Sequence, residues 1–250
     1  MLTKYFKAFN KKMVKEEEAS KTKAKANTKA ASKTTTKKIV KKKKIDLKNL
    51  KDVLDGIVPS ELIIGSEKPV DSSGYVPEGA SLIAYREYCR DIGSILDGYI
   101  PYELIHGAFF VNDKITKDTM KELLSNVINL KKLNFFAQNA DEGEANYMPV
   151  PSFVIASDMD MSFTEIKDEI VDYYMTNNIE SNFEVDIIVV INKGIVVKNW
   201  RESRNYIALE TNEDTSMWFF VLMNEYLTMD RGIEMDFRNY IKSDVVYKEY

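Results

Sequence analysis

Apolar and polar positions alternate along the chain in two rhythms, and the rhythm switches mark out elements. In IDLKNLKDVLDGIVP, Ile45, Leu47, Leu50, Val53, Leu54 and Ile57 form a helical stripe, with Gly56 and Pro59 as its stop. ELIIG then reads as a short strand entering a turn-rich loop, and ASLIAYREY and YELIHGAFFVN read as strands. Thr116 can cap a helix running to about Leu133, with Met120, Leu123, Leu124, Val127, Leu130 and Leu133 at core spacing. A polar loop over 141–146 leads to the strand VPSFVIAS. Ser162 and Glu165 make a capping box for a helix to about Met175. EVDIIVVI is almost continuously apolar, as a strand buried on both faces should be. Asn192-Lys193-Gly194 turns the chain into a hairpin partner, GIVVKNW. TSMWFFVLMNEYLTM is so apolar that it is expected to cross the core as a helix. The whole predicts one α/β domain over 45–250, a mixed central sheet flanked by helices, with no internal repeat.

The first 44 residues follow neither rhythm for long. Leu2, Tyr5, Phe6, Phe9 and Met13 fall at near-helical spacing over 1–15, which fits either a frayed terminus or a short docking helix for a partner or an anionic surface. Residues 19–44 are low-complexity Lys, Ala and Thr, with too little apolar surface to offset the entropy of ordering. We therefore expect residues 1–44 to be a basic, disordered arm. Charge sharpens this division. Residues 1–44 hold 16 lysines and three glutamates, whereas the rest holds 19 basic and 36 acidic residues. A basic arm on an acidic body points to polyanion contact through the arm, with Lys37, Lys38, Lys41, Lys42, Lys43 and Lys44 as the candidate phosphate-binding residues. A solvated, solubilising linker is the plainer reading of the same lysines. The acidic body would be free to take a protein partner.

Composition excludes several chemistries. The chain has one cysteine, Cys89, so it forms no internal disulfide and no cysteine-based zinc site, which fits a reducing, cytoplasmic compartment. It has one histidine, His106, which any His-dependent mechanism would have to use. A lone strand histidine is expected to be hydrogen-bonded core or edge. Arg90 beside Cys89 could lower the thiol's pKa, but no base is near in sequence. Asp158 and Asp160 have metal-like spacing, yet they precede a helix whose dipole favours carboxylates. Trp218, Phe219 and Phe220 read as core. No phosphate-cradling glycine loop occurs. No apolar run is long enough to span a bilayer, and the N-terminus lacks the pattern of a secretory signal.

The order of landmarks adds a further expectation. LDGIVPSELIIGSEKPVDSSG, GYIPYELIHGAFFVNDKITKDTMKELLSNVINLKKL, VPSFVIAS, DIIVVINKGIVV and EDTSMWFFVLMNEYL followed by DFRNYI resemble the DUF6602 family of bacterial and phage proteins over nearly all of 45–245. The resemblance implies a restriction-endonuclease-like (PD-(D/E)xK) fold and phosphodiester hydrolysis with Mg²⁺. Such a site holds the metal with an Asp at one strand's start and a Glu on the next, with a Lys two residues after the Glu. On this chain those positions fall on Ser81, Phe110 and Asn112. Phe binds no metal and Asn carries no charge. The resemblance therefore implies a catalytically inactive nuclease-like protein with no metal cofactor, binding nucleic acid without sequence preference, and allows a phage association. Two alternatives stand beside it. One is an active Mg²⁺-dependent nuclease with displaced ligands, Glu78 or Glu87 meeting a carboxylate on the 103–113 strand. The other is a structural or assembly protein of a larger particle.

Overall fold

The structure is a computed structural model that describes residues 14–16, 43–133, 149–201, 204–231, 233 and 235–240. Its centre is a seven-stranded mixed sheet in the order β11-β10-β9-β8-β7-β5-β3. The strands are β3 (Leu62–Gly65), β5 (Leu82–Arg86), β7 (Ile105–Ile115), β8 (Ser152–Met159), β9 (Ile187–Val190), β10 (Gly194–Lys198) and β11 (Tyr206–Leu209). β3, β5 and β7 form an antiparallel meander, β7, β8 and β9 run parallel, and β10 and β11 return antiparallel. The two parallel steps cross over through α3 (Lys117–Lys131) and α4 (Phe163–Thr176). Both helices begin as their sequences require. The Thr116 hydroxyl accepts from the Thr119 amide, and the Ser162 hydroxyl from the Glu165 amide, each in a capping box. The partner at the first cap is Thr119, a residue type the usual Glu/Gln pattern does not flag.

Strand alternation splits the core in two. Ile83, Ala108, Phe110, Val154, Ile188 and Val190 face α3 and α4. Leu82, Phe109, Phe153, Ile155, Ile187 and Val189 face α1 (Leu47–Asp55) and α5 (Thr215–Leu227). β9 is buried on both faces, which explains its unbroken apolar run. α5 departs from expectation. It lies on one face of the sheet instead of crossing the core, so Phe219 is buried while Trp218 is 42% and Val221 42% exposed. Phe220 is half-buried. The Asn224 amide ties the helix to α1 by donating to the Ile57 carbonyl, 3.2 Å away.

Two smaller ladders complete the fold. β4 (Lys68–Val70) pairs in parallel with β6 (Tyr99–Pro101). β1 (Val14–Glu16) pairs antiparallel with β2 (Lys43–Ile45), in the register Val14↔Ile45. Part of the basic arm is a strand pair, and Ile45 is buried against the α1/α5 core. Lys37, Lys38, Lys41 and Lys42 lie outside the described residues, as do most of the predicted N-terminal helix and the 141–146 loop. Lys43 and Lys44 belong to β2, where Lys44 is exposed.

Candidate nucleic-acid face and ligand pocket

The structure gathers the three residues taken from the resemblance on one face. The Ser81 amide donates to the Phe109 carbonyl at 2.8 Å, and its hydroxyl accepts from the Val111 amide at 3.1 Å. Ser81 is thus opposite Phe110, and strand alternation puts Phe110 and Asn112 on that same face. Phe110 is fully buried against α3, α4 and β8. The Asn112 carboxamide oxygen accepts from the Lys114 amide at 3.0 Å. A hydroxyl bound to backbone, a phenyl ring and a neutral amide do not fit a hard divalent cation, which takes several charged or carbonyl oxygens. Glu78 is exposed, Glu87 accepts from the Asp91 amide beyond the far end of β5, and Glu103 precedes β7 at that same far end. Among the described residues, no group of three or more His, Cys, Asp or Glu is placed to hold a metal.

Asp113 and Lys114, adjacent on the strand, face opposite ways, so Lys114 shares the face of Asn112. The Lys114 amine is ion-paired with Asp160, which holds the amine's pKa above the usual lysine value. Asp158, the register partner of Lys114 on β8, is 2.6 Å from the Lys193 amine. Burial opposes ionisation of Asp158, but the Lys193 bond outweighs it and the carboxyl sits below its usual range. The two aspartates are therefore each matched to a lysine, just before the N-terminus of α4.

The other end of β5 and β7 is hollow. The register slips between Ala84 and Tyr85, so that Tyr85 pairs with Ile105 and Ala84 with Gly107, leaving His106 as the extra residue. Such a bulge re-aims its side chain. Here the His106 ring reaches the end of α5, with Nδ1 3.3 Å from the Leu227 carbonyl oxygen. It lines a cavity of about 620 Å³ shared with Arg86, Glu103, Thr228, Arg231 and Met235. Burial, then the charges of Arg231 and Arg86, lower the His106 pKa below 6.5. The Arg231 guanidinium is buried over the Tyr102 ring, 4.5 Å from its centroid, and donates to the carbonyls of Tyr102 and Ile105. Burial raises the Glu103 pKa, and its carboxylate accepts from the Tyr240 hydroxyl at 2.6 Å. Gly107 lets α5 close on β7 beside the cavity. A Cβ there would come within 2.8 Å of both Leu227 and Phe153. Gly107→Ala is expected to cost about 1–3 kcal/mol by overpacking, read as a lower urea midpoint.

A third polar cluster is dry. The Lys131 amine at the end of α3 donates to Asp186 at 2.6 Å, with both side chains 1% exposed. The same Asp186 oxygen takes the Ser152 amide at 2.7 Å and hydroxyl at 2.8 Å. The Lys198 amine is 3.3 Å from Glu184, again with both buried. The Tyr174 hydroxyl accepts from the Val185 amide at 2.8 Å, and the Tyr206 hydroxyl donates to the Val185 carbonyl at 3.2 Å. Cys89, by contrast, is exposed and free.

The topology now has known counterparts. NucC of E. coli MS115-1 in its apo form superposes with a TM-score of 0.61, covering 78% of this chain and 88% of that one at 14% identity. The chain has the fold of NucC. NucC of P. aeruginosa ATCC27853 in its cAAA-bound form gives a TM-score of 0.58 at 13% identity, covering 78% and 82%. The cAAA-bound E. coli protein gives 0.58 at 13%, covering 78% and 81%. The expected α/β fold, a mixed central sheet flanked by helices, is thereby met, and it is similar to that of NucC. No family model and no curated protein matches the chain, so the DUF6602 resemblance gains no support. No helix among the described residues is long and apolar enough to cross a membrane.

Proposed function

We propose that this chain is a nuclease-fold protein without hydrolytic activity, holding nucleic acid through phosphate contacts of its lysine-rich stretch. The observation that carries the reading is the Ser81–Phe110–Asn112 face, where a buried phenyl stands between two neutral polar groups. The position of β2 supports it. The Ile45 amide donates to Asp113 at 3.1 Å, beside Asn112, and β2 is paired to β1. The stretch between the two strands therefore starts and finishes at the same end of the sheet as that face. Membership of DUF6602, phage association, a cytoplasmic location and a protein partner for the acidic body belong to the same proposal.

The test keeps the full chain and replaces Lys37, Lys38, Lys41, Lys42, Lys43 and Lys44 by Gln. Binding to duplex DNA and to single-stranded RNA is followed across a salt series, with Mg²⁺ and a cleavage readout. Six phosphate contacts would contribute about 5 to the slope of log affinity against log salt, and the substituted chain is expected to lose most of it. Mg²⁺-dependent cleavage by the native chain would overturn the reading. Equal slopes for the two proteins would remove the lysines from it.

A second reading rests on the cavity at His106. Two solved neighbours were captured with cAAA. A volume of about 620 Å³ with Arg86, Arg231, His106 and Thr228 at its wall, beside Glu61, Glu103 and Asp230, suits a small nucleotide. Calorimetric titration with cAAA tests it, and the absence of any heat at high micromolar concentration would dismiss that ligand.

A further inference from the structure

The two edges of the central sheet are finished differently. At the β3 edge, the Ile64 amide is taken by the Asp55 carboxylate at 3.1 Å. At the other edge, β11 pairs with β10 alone among the described residues. The Asn199 amide donates to the Asn205 carbonyl at 2.8 Å and so continues the Lys198↔Tyr206 register. Backbone groups alternate along an antiparallel ladder. Asn205, Ile207 and Leu209 therefore turn theirs toward β10, and Tyr206 and Ala208 turn theirs outward. No lysine, proline or bulge, the common devices against edge pairing, interrupts β11.

The side chains beside this edge are uncovered too. Ile207 and Leu209 lie opposite Val197 and Ile195, on the α5 side of the sheet. α5 packs over β7, β9 and β10, and leaves Ile207 46% and Leu209 38% exposed. Trp218 on α5 is exposed on the same side, as is Trp200, whose indole donates to the Tyr226 hydroxyl of α5. Charge is graded along the strand. Arg201 and Arg204 precede β11, whereas Glu210, Glu213 and Asp214 follow it.

We infer that β11 is a dimerisation edge, on which two copies of this chain pair β11 with β11 antiparallel about a two-fold axis and join their sheets into one. With Ala208 opposite Ala208 of the second copy, the outward amides and carbonyls bond across the axis. Ile207 then faces Leu209 of the second copy, and each covers the other. The antiparallel sense also brings the arginine end of one strand to the acidic end of the other. The surface is thus complementary to itself in charge, as an isologous interface requires, and this selects a second copy over an unrelated strand.

The experiment is analytical ultracentrifugation of the full chain from low to high micromolar concentration, with hydrogen exchange read at single amides. The native chain is expected to sediment with twice the mass of one chain at the upper end and to dissociate on dilution. The Tyr206 and Ala208 amides should exchange faster as it does, while those of Ile207 and Leu209, held by β10, should not change. Ala208→Pro removes an outward donor and leaves the β10 ladder intact. Loss of the two bonds exchanged at Ala208 is expected to raise the dissociation constant by roughly ten-fold or more. Ile207→Lys, which sets a charge on the exposed face, should weaken the dimer as well and stands in if circular dichroism shows the proline variant unfolded. A monomer at every concentration would overturn the inference, including one whose Tyr206 and Ala208 amides are protected by the chain's own residues. A dimer that both folded variants leave intact would place the contact elsewhere and overturn it equally.

Discussion

Replacing Lys131 by methionine is expected to cost about 3–5 kcal/mol of folding stability, seen as a large drop in the urea midpoint with little change in slope. The side chain is 1% exposed and its amine is anchored on the Asp186 carboxylate. Burial pushes the Lys131 pKa down, while the Asp186 charge and hydrogen bond act to hold the proton. Methionine fills the stem's space but leaves a buried carboxylate without its cation. The penalty then comes from Asp186, and this can be separated from the loss of packing. Adding Asp186→Leu to Lys131→Met should restore part of the stability, because removing both charges avoids the uncompensated one. Recovery should stay incomplete by about 1–3 kcal/mol, since the Ser152 amide and hydroxyl would lose their shared acceptor. A single variant as stable as the native chain would show that the pair contributes nothing.

Phe110 should behave as core of the same weight. Phe110→Ala removes a fully buried ring from the α3/α4 side of the sheet and is expected to cost about 3–5 kcal/mol in the same denaturation measurement. The more telling change is to write the nuclease residues back. Ser81→Asp, Phe110→Glu and Asn112→Lys together would set a carboxylate where the structure is dry, so the triple variant should be less stable than Phe110→Ala in the absence of metal. The Ser81 hydroxyl bond to the Val111 amide would be lost as well. Mg²⁺ should rescue little, because α3, α4 and β8 close over the ring's position. A triple variant that folds, binds Mg²⁺ and cuts DNA would mean that the space is a cleft after all.

Much of the fold was legible, and the physical reason is redundancy. α4 is specified by its cap, its apolar stripe and its neighbours together, and the Ser162–Glu165 box formed as written. β9 advertised its double burial by having no polar position at all. α5 misled for the opposite reason. Its apolar composition says that it wants cover, but composition cannot say which side receives it, and Trp218 ends on the open side. The Ser81–Phe110–Asn112 grouping came from the resemblance, whereas strand spacing by itself placed only Phe110 and Asn112 on one face. The cavity at His106 was not. It depends on a one-residue slip in pairing and on contacts such as Arg231 to Ile105, separated by 126 positions in sequence. The Lys131–Asp186 pair was hidden likewise, since both residues look like ordinary surface charge until the two elements are brought together.

The β1–β2 pairing brings Val14 beside Ile45. Ile45 is itself buried in the α1/α5 core, and its amide is held by Asp113. β1 is thus carried by β2, and a break at Ile45 would release both strands from the domain together.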